Sequence, residues 1–184
     1  TFDYDKLRWF NQQYINHILD LDDLTARVVP YLIDAGLVSD AARDASSAEY
    51  ARVRDVTGVL KDRLVLLSDA PELMSFFVKE ELDAYDPALL IPKKTDASQA
   101  LAALIGALAV FEAGTVADET AIEAALRELA DQLGLKAGQL FMPIRVAVTG
   151  RTESPGLFET LRVIGDERVR TRIRIAIAAL EAAG

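Results

Sequence analysis

Cysteine is absent from this 184-residue chain, and histidine occurs once, as His17. Without cysteine there is no disulfide, no Cys-ligated zinc, no iron-sulfur cluster and no thiol nucleophile, and this usage fits a reducing cytoplasm. A Ser-His-Asp triad would have to use His17, which Asn16 and Ile18 flank in a helical pattern that gives catalysis no support. No apolar run approaches the roughly 18 to 20 residues that span a bilayer, and the start lacks the basic-then-apolar layout of a signal peptide. The expectation is a soluble cytoplasmic protein with no membrane partner. Phosphate-cradling loops are missing too: there is no Gly-x-x-x-x-Gly-Lys, no Gly-x-Gly-x-x-Gly after a strand, and no Gly-x-Ser-x-Gly elbow. Basic charge is scarce, with 20 Lys and Arg against 29 Asp and Glu, a net −9. That balance argues against indiscriminate coating of DNA or RNA, which is driven mostly by neutralising phosphates.

What is present is apolar and periodic. Hydrophobic residues make up 51% of the chain, enough to bury a core in one large or two small domains. Apolar positions recur at spacings of three and four almost throughout, which predicts an all-α fold of two helical subdomains in series. Leu7, Phe10, Tyr14 and Ile18 form the first stripe. Leu24, Val28 and Leu32 form the second, kinked at Pro30 and stopped at Gly36. A third helix is expected over about 47–66, with Tyr50, Val53, Val56, Leu60 and Leu64 inward, and Ser68-Asp69-Ala70-Pro71 opens the next. The stretch "DPALLIPKKTDASQ", residues 86–99, holds two of the six prolines and loses the period, so the domain boundary is expected near Pro92, giving 1–92 and 93–184. The second half restarts with Leu101, Leu104, Leu108 and Phe111, closed by Gly114. Asp118 caps a helix carrying Ile122, Leu126, Leu129 and Leu133. Residues 137–149 follow, with Pro143 starting or bending the helix. Ser154 is expected as N-cap of a helix burying Leu157, Phe158, Leu161 and Ile164, and Asp166 as cap of a last helix burying Val169, Ile173, Ile177 and Leu180.

The acidic clusters Asp20-x-Asp22-Asp23 and Glu80-Glu81 with Asp83 and Asp86 are read as helix capping and a solvated face. No metal site is expected from them, since the glycine of a calcium loop is missing. No catalytic residue stands out. The unusual stretch is "MPIRVAVTGRTESPGLFETLRVIGDERVRTRIRIA", residues 142–176, where seven arginines gather in an otherwise acidic chain. From Leu140 onward seven arginines face five acids, a local balance of +2 that leaves −11 on the remainder. Arg168, Arg170, Arg172 and Arg174 would spread over a broad arc of one helix and are expected as surface charges paired with nearby acids. Arg145 lies about a turn before Thr149-Gly150, beside the expected helix start at Ser154-Pro155-Gly156. A planar donor fork near outward-pointing amides could meet splayed RNA bases, and a structural ion pair is the competing reading.

The segments "FDYDKLRWFNQQYI" (2–15) and "MPIRVAVTGRTESPGLFETLRVIGDERVRTRI" (142–173) resemble the C-terminal region of bacterial class I glutamyl-tRNA synthetases, and "RLVLLSDAPELMSFF" (63–77) is similar to a helix-turn-helix of that region. The resemblance implies an anticodon-binding fragment: residues 1–92 would hold the end of the stem-contact region and the first helical anticodon-binding subdomain, 93–184 the second. The family's His-Ile-Gly-His and Lys-Met-Ser-Lys-Ser motifs are absent, so this chain alone would not be an enzyme and would hold no cofactor. The parent would be a ligase using ATP and magnesium to attach glutamate to tRNA, and the start at Thr1 rather than Met points to a piece of something longer. Carried over by position, Arg145 and the loop residues Ser154, Pro155 and Leu157 match anticodon contacts. Arg63 matches an arginine that reads the last anticodon base, whereas Arg151 stands where the family often has a different residue and could add a phosphate contact. The implied partners are the tRNA-Glu anticodon stem-loop and the parent's own N-terminal catalytic domain. The alternative, from another class, is an acidic helical protein-interaction scaffold.

Overall fold

Capping residues and apolar spacing set the helix order in the computed structural model, which describes residues 3–183. Thr1, and Phe2 of the first signature, lie outside the described residues. Every regular element among the described residues is an α-helix or a short 3₁₀ turn, so the all-α expectation holds. The chain divides into two compact units, 1–79 and 80–184, each with its own core. The division falls upstream of Pro92, where composition predicts it. The 3₁₀ turn at Pro87–Leu90 packs with helices of the second unit, and Leu90 is fully buried there. Loss of periodicity therefore marks an irregular part of one unit's core.

In the first unit, α1 (Tyr4–His17) and α2 (Leu21–Asp34) each begin on an aspartate whose side chain accepts a backbone N–H, Lys6 N for Asp3 and Asp23 N for Asp20. Such caps contribute about 1 kcal/mol each and account for Asp20 without a metal. Asp22 pairs with Arg54 across to α3 (Ala48–Leu60). Leu24, Val28 and Leu32 are wholly buried, and so are Val53, Val56, Leu60 and Leu64 to within 1%. α3 stops earlier than its apolar spacing predicts, because Lys61–Arg63 tightens into a 3₁₀ turn. Leu64 then drops into the core. α4 (Ala70–Val78) follows with Pro71 in its first turn, and Asp69 turns its carboxylate back to accept from Leu66 N. The first stripe is corrected: Leu7, Phe10, Tyr14 and Ile18 are 46–67% exposed. Helix α1 buries Ile15 instead and is tied down by polar bonds, Asn11 Nδ2 to Val65 O at 3.0 Å and Gln12 Nε2 to Asp62 O at 3.2 Å. His17 is exposed at the end of α1.

In the second unit, α5 (Ala97–Ala113), α7 (Ala137–Thr149) and α9 (Asp166–Ala183) pack against one another, with α6 (Glu119–Gln132) and α8 (Leu157–Ile164) against α7 and α9 or α5. The inner face of α5 is Ala100, Ala103, Leu104, Ala107 and Phe111, shifted toward small residues, while Leu101 and Leu108 are only half-buried. Alanine lets neighbouring helices approach, and the fully buried Phe111 ring supplies roughly 2–3 kcal/mol of transfer free energy. Gly106 serves the same end: a Cβ there would stand 2.7 Å from Leu129 of α6. Leu133, at the end of that stripe, is 37% exposed.

Asp166 is the first residue of α9, yet it does not cap that helix. Its carboxylate accepts from Val116 N at 2.7 Å and Thr115 Oγ1 at 2.8 Å, clamping the loop between α5 and α6. Burial pushes this carboxyl up, but those two hydrogen bonds and the Arg170 guanidinium outweigh it and hold it below its ordinary value. A depressed folded pKa stabilises above the unfolded value of about 4, and that stabilisation is lost as pH falls through the folded value. Asp166→Asn should therefore lower stability at neutral pH by roughly 1 kcal/mol and flatten the acid limb of thermal melts below pH ~4. Identical melting profiles for the variant and the parent at pH 7 and pH 3 would remove this clamp from the account.

Candidate nucleic-acid interface

Helix α7 carries the candidate site because nearly every position of its second half is buried: Pro143, Ile144, Val146, Ala147, Val148 and Thr149 all face protein. Pro143 lies inside the helix, which continues through it. Gly150 ends it at φ +71, the left-handed conformation that glycine adopts without strain. Thr149 fastens this end. Its Oγ1 accepts from Arg151 N at 3.1 Å and lies 2.7 Å from Arg145 O and 3.1 Å from Arg151 O, so one hydroxyl bridges the last turn and the following loop.

Arg145 occupies the one half-buried position in this run. Its Nη1 donates to Pro155 O at 2.8 Å and Ser154 O at 3.2 Å, and also to Ser154 Oγ. Together these bonds fix the guanidinium against the loop. Ser154 Oγ in turn donates to Pro155 O at 3.0 Å. Ser154 is thus engaged with Arg145, and the expectation that it caps α8 is corrected: the helix begins at Leu157 with Gly156 as N-cap and no side-chain cap. Glu159 folds back so that a Cβ on Gly156 would stand 3.2 Å from Oε2. A carboxylate in this first turn already complements the positive end of the helix.

Arg145, Ser154, Pro155 and Leu157 are therefore brought together as one structure in the second unit. Their exposures differ. Ser154 is half-buried, Pro155 is buried and Leu157 is 5% exposed, so the last two anchor the loop from inside. Arg151 is half-buried beside Thr149. Arg63 belongs to the first unit, exposed at the end of the 3₁₀ turn Lys61–Arg63.

The four arginines of α9 divide. Arg174 pairs with Glu112 at 2.6 Å, as expected of a peripheral charge. Arg170 is half-buried, 3.9 Å from Asp166, and donates from Nε to Phe111 O at 2.8 Å, while Arg168 donates from Nε to Ile164 O at 3.0 Å. Arg172 is only 3% exposed and donates from Nη1 to Val148 O at 2.7 Å. The surface reading of this residue is corrected. Burial, and next the neighbouring Arg168, lower its pKa to about 10 against the opposing pull of Glu80, so it remains charged at neutral pH. The signal was in the register: position 172 is three after Val169 and four before Ala176, both buried. Arg172 thus supports the C-terminal turn of α7 from below while Arg145 holds the loop above it.

A family model described as an anticodon binding domain matches residues 23–177. The chain belongs to the anticodon-binding domain family. Among curated relatives, it is 46% identical over 183 residues to a glutamate–tRNA ligase of Herpetosiphon aurantiacus, covering 100% of this chain and 36% of that protein. It is 42% identical over 179 residues to the one from Chloroflexus aurantiacus, covering 96% and 35%. This anticodon-binding chain thus spans about a third of the length of the curated relatives it matches. A crystal structure of a glutamate tRNA ligase from Elizabethkingia meningosepticum superposes with a TM-score of 0.78 at 22% identity, over 97% of this chain and 33% of that one. The glutamate-tRNA synthetase of Elizabethkingia anophelis gives 0.71 at 24%, over 96% and 32%. At these identities the structural likeness establishes the shared helical fold.

The bonds from Arg145 predict a stability effect separate from any ligand. Arg145→Ala should cost about 2 kcal/mol and speed hydrogen exchange of the amides at 154–157, because two carbonyls and a hydroxyl lose a charged donor. Exchange rates equal to those of the parent chain would show that the loop holds its shape unaided.

Proposed function

We propose that this chain is the anticodon-reading part of a glutamate–tRNA ligase and that its partner is the anticodon stem-loop of tRNA-Glu. Activation of glutamate with ATP and magnesium, and the ligase activity itself, belong to the remaining part of the parent enzyme, which works in the cytoplasm. The observation that carries this reading is the Arg145 latch on Ser154 and Pro155, in a chain that is 46% identical to a glutamate–tRNA ligase. The family match supports this function over an acidic protein-interaction scaffold.

The geometry suits bases better than phosphates. Splayed single-stranded bases are recognised by guanidinium groups, backbone atoms and stacking, whereas phosphate binding at a helix start needs an open positive end. Glu159 already folds back over the start of α8. Arg145 presents a charged planar group held against the loop, and Ser154 and Pro155 offer backbone whose position that group fixes. Leu157, buried beneath, seats the loop. Arg63 adds a cation for the last anticodon base from the first unit, and Arg151 a contact to phosphate. A net charge of −9 keeps indiscriminate RNA affinity low, so that discrimination rests on these local contacts.

A good base contact from arginine is worth roughly 1–3 kcal/mol, so Arg145→Ala should weaken binding of a tRNA-Glu anticodon stem-loop about tenfold to a hundredfold. Arg63→Ala should relax preference at the last anticodon base alone. Titration of the full chain at low salt, monitored by fluorescence anisotropy, measures both. Failure of the parent chain to bind, or equal affinity of the Arg145 variant, overturns the proposal.

A further inference from the structure

Beside the latch lies a second planar assembly that the anticodon contacts do not use. Phe141 stands four residues before Arg145 on α7 and so shares its face. Phe158, directly after Leu157, packs its ring against Phe141 at 5.5 Å between centroids and 88° between planes. Arg127, from α6, places its guanidinium carbon over the Phe141 ring, 5.5 Å from the centroid. Three helices thus bring one guanidinium and two aromatic rings together next to the 154–157 loop.

The guanidinium is held in place by its edge. Glu123 Oε1 accepts from Arg127 Nε at 2.9 Å and Nη2 at 2.6 Å, while the Arg127 side chain keeps 55% of its surface in solvent. One edge of the guanidinium is therefore occupied by a carboxylate, which fixes the plane of a group that stays more than half exposed. The adjoining cleft, about 390 Å³ and lined by Glu119, Thr120, Glu123, Ala124, Arg127 and Phe158, falls in the size range of small-molecule sites, roughly 300–1,000 Å³. Its charges are matched: Glu119 pairs with Arg162 at 2.7 Å as Glu123 does with Arg127. A neutral flat ligand suits a balanced, planar surface better than an anion does. Nucleobases are such ligands, and they stack on guanidinium planes as well as on aromatic rings.

We propose that Arg127, set over the Phe141 ring and fixed by Glu123, is a stacking platform for a fourth unpaired nucleobase, a purine flanking the anticodon triplet in the bound loop. This rests on the anticodon reading above and extends it to a nucleotide outside the triplet. A purine is favoured because its larger face covers more of the platform. Stacking tolerates either purine, so the platform contributes affinity and loop register without selecting sequence.

The test is a double-mutant cycle between the full chain and the tRNA-Glu anticodon stem-loop. An abasic nucleotide is placed at each position flanking the triplet in turn, and at one triplet position as a control. At one flank, removal of the base should weaken binding to the parent chain roughly tenfold, the scale of one stacked base, and should have little further effect on Arg127→Gln. Arg127→Lys should behave like Arg127→Gln, because it keeps the charge and loses the plane. The abasic triplet position should weaken parent and variants alike. Additive losses at both flanks, or full retention of affinity by Arg127→Lys, overturns the platform. Because Arg127 and Glu123 form an exposed pair, thermal melts of the variants should match the parent, and binding losses then report on contact. A parent chain that does not bind the intact stem-loop at all would sink the anticodon reading itself, a result distinct from binding that ignores Arg127.

Discussion

One nitrogen, Nη1 of Arg145, meets two carbonyls and a hydroxyl at Ser154 and Pro155, and the local architecture of the second unit depends on this convergence. A loop turning from α7 into α8 carries polar backbone groups that must find partners. Gly150 sets the turn, Thr149 fastens its near side and Arg145 its far side. The short helix α8 can then begin at Leu157 without a side-chain cap, because the residues before it are already held.

The position of Arg145 is in turn a property of the core. Helix α7 packs against α5, α6, α8 and α9, and its last two turns bury almost every side chain. Arg172 reaches under the same helix to Val148 O, which places a second guanidinium, wholly enclosed, against the turn that precedes the loop. A buried charge with a carbonyl partner is costly to misplace, since a shifted helix would leave it unsatisfied. The two arginines therefore meet at one helix end, the inner one through its bond to the Val148 carbonyl and the outer one through its hold on the loop.

Much of this was legible in the sequence, and the exceptions share causes. A helix with a strong cap and large apolar residues, such as α2 from Asp20, follows its periodicity closely, because capping and burial agree. The stripe of α1 is equally periodic and yet exposed, since period records amphipathicity and says nothing of what covers the face. Asp166 and Ser154 have the right chemistry and position for N-caps, but long-range partners, the Val116 amide and the Arg145 guanidinium, take their oxygens. A cap motif competes with tertiary contacts that local spacing does not contain. Arg172 departs for the opposite reason: residue type argues for solvent while register argues for the core, and register prevails. Within the site, Arg145 and Ser154 stand together as their sequence neighbourhood implied. The placement of Arg127 over Phe141 joins residues from different helices and had no local signature.

The burial of α7 has a wider consequence. The end that carries Arg145 is continuous with that buried run, so its geometry is borrowed from the same interior that resists melting. Conditions that soften the packing among α5, α7 and α9 would loosen the hold of Arg145 on Ser154 and Pro155 before the chain unravels. The shape of this loop and the heat tolerance of the unit would then share a single origin in this molecule.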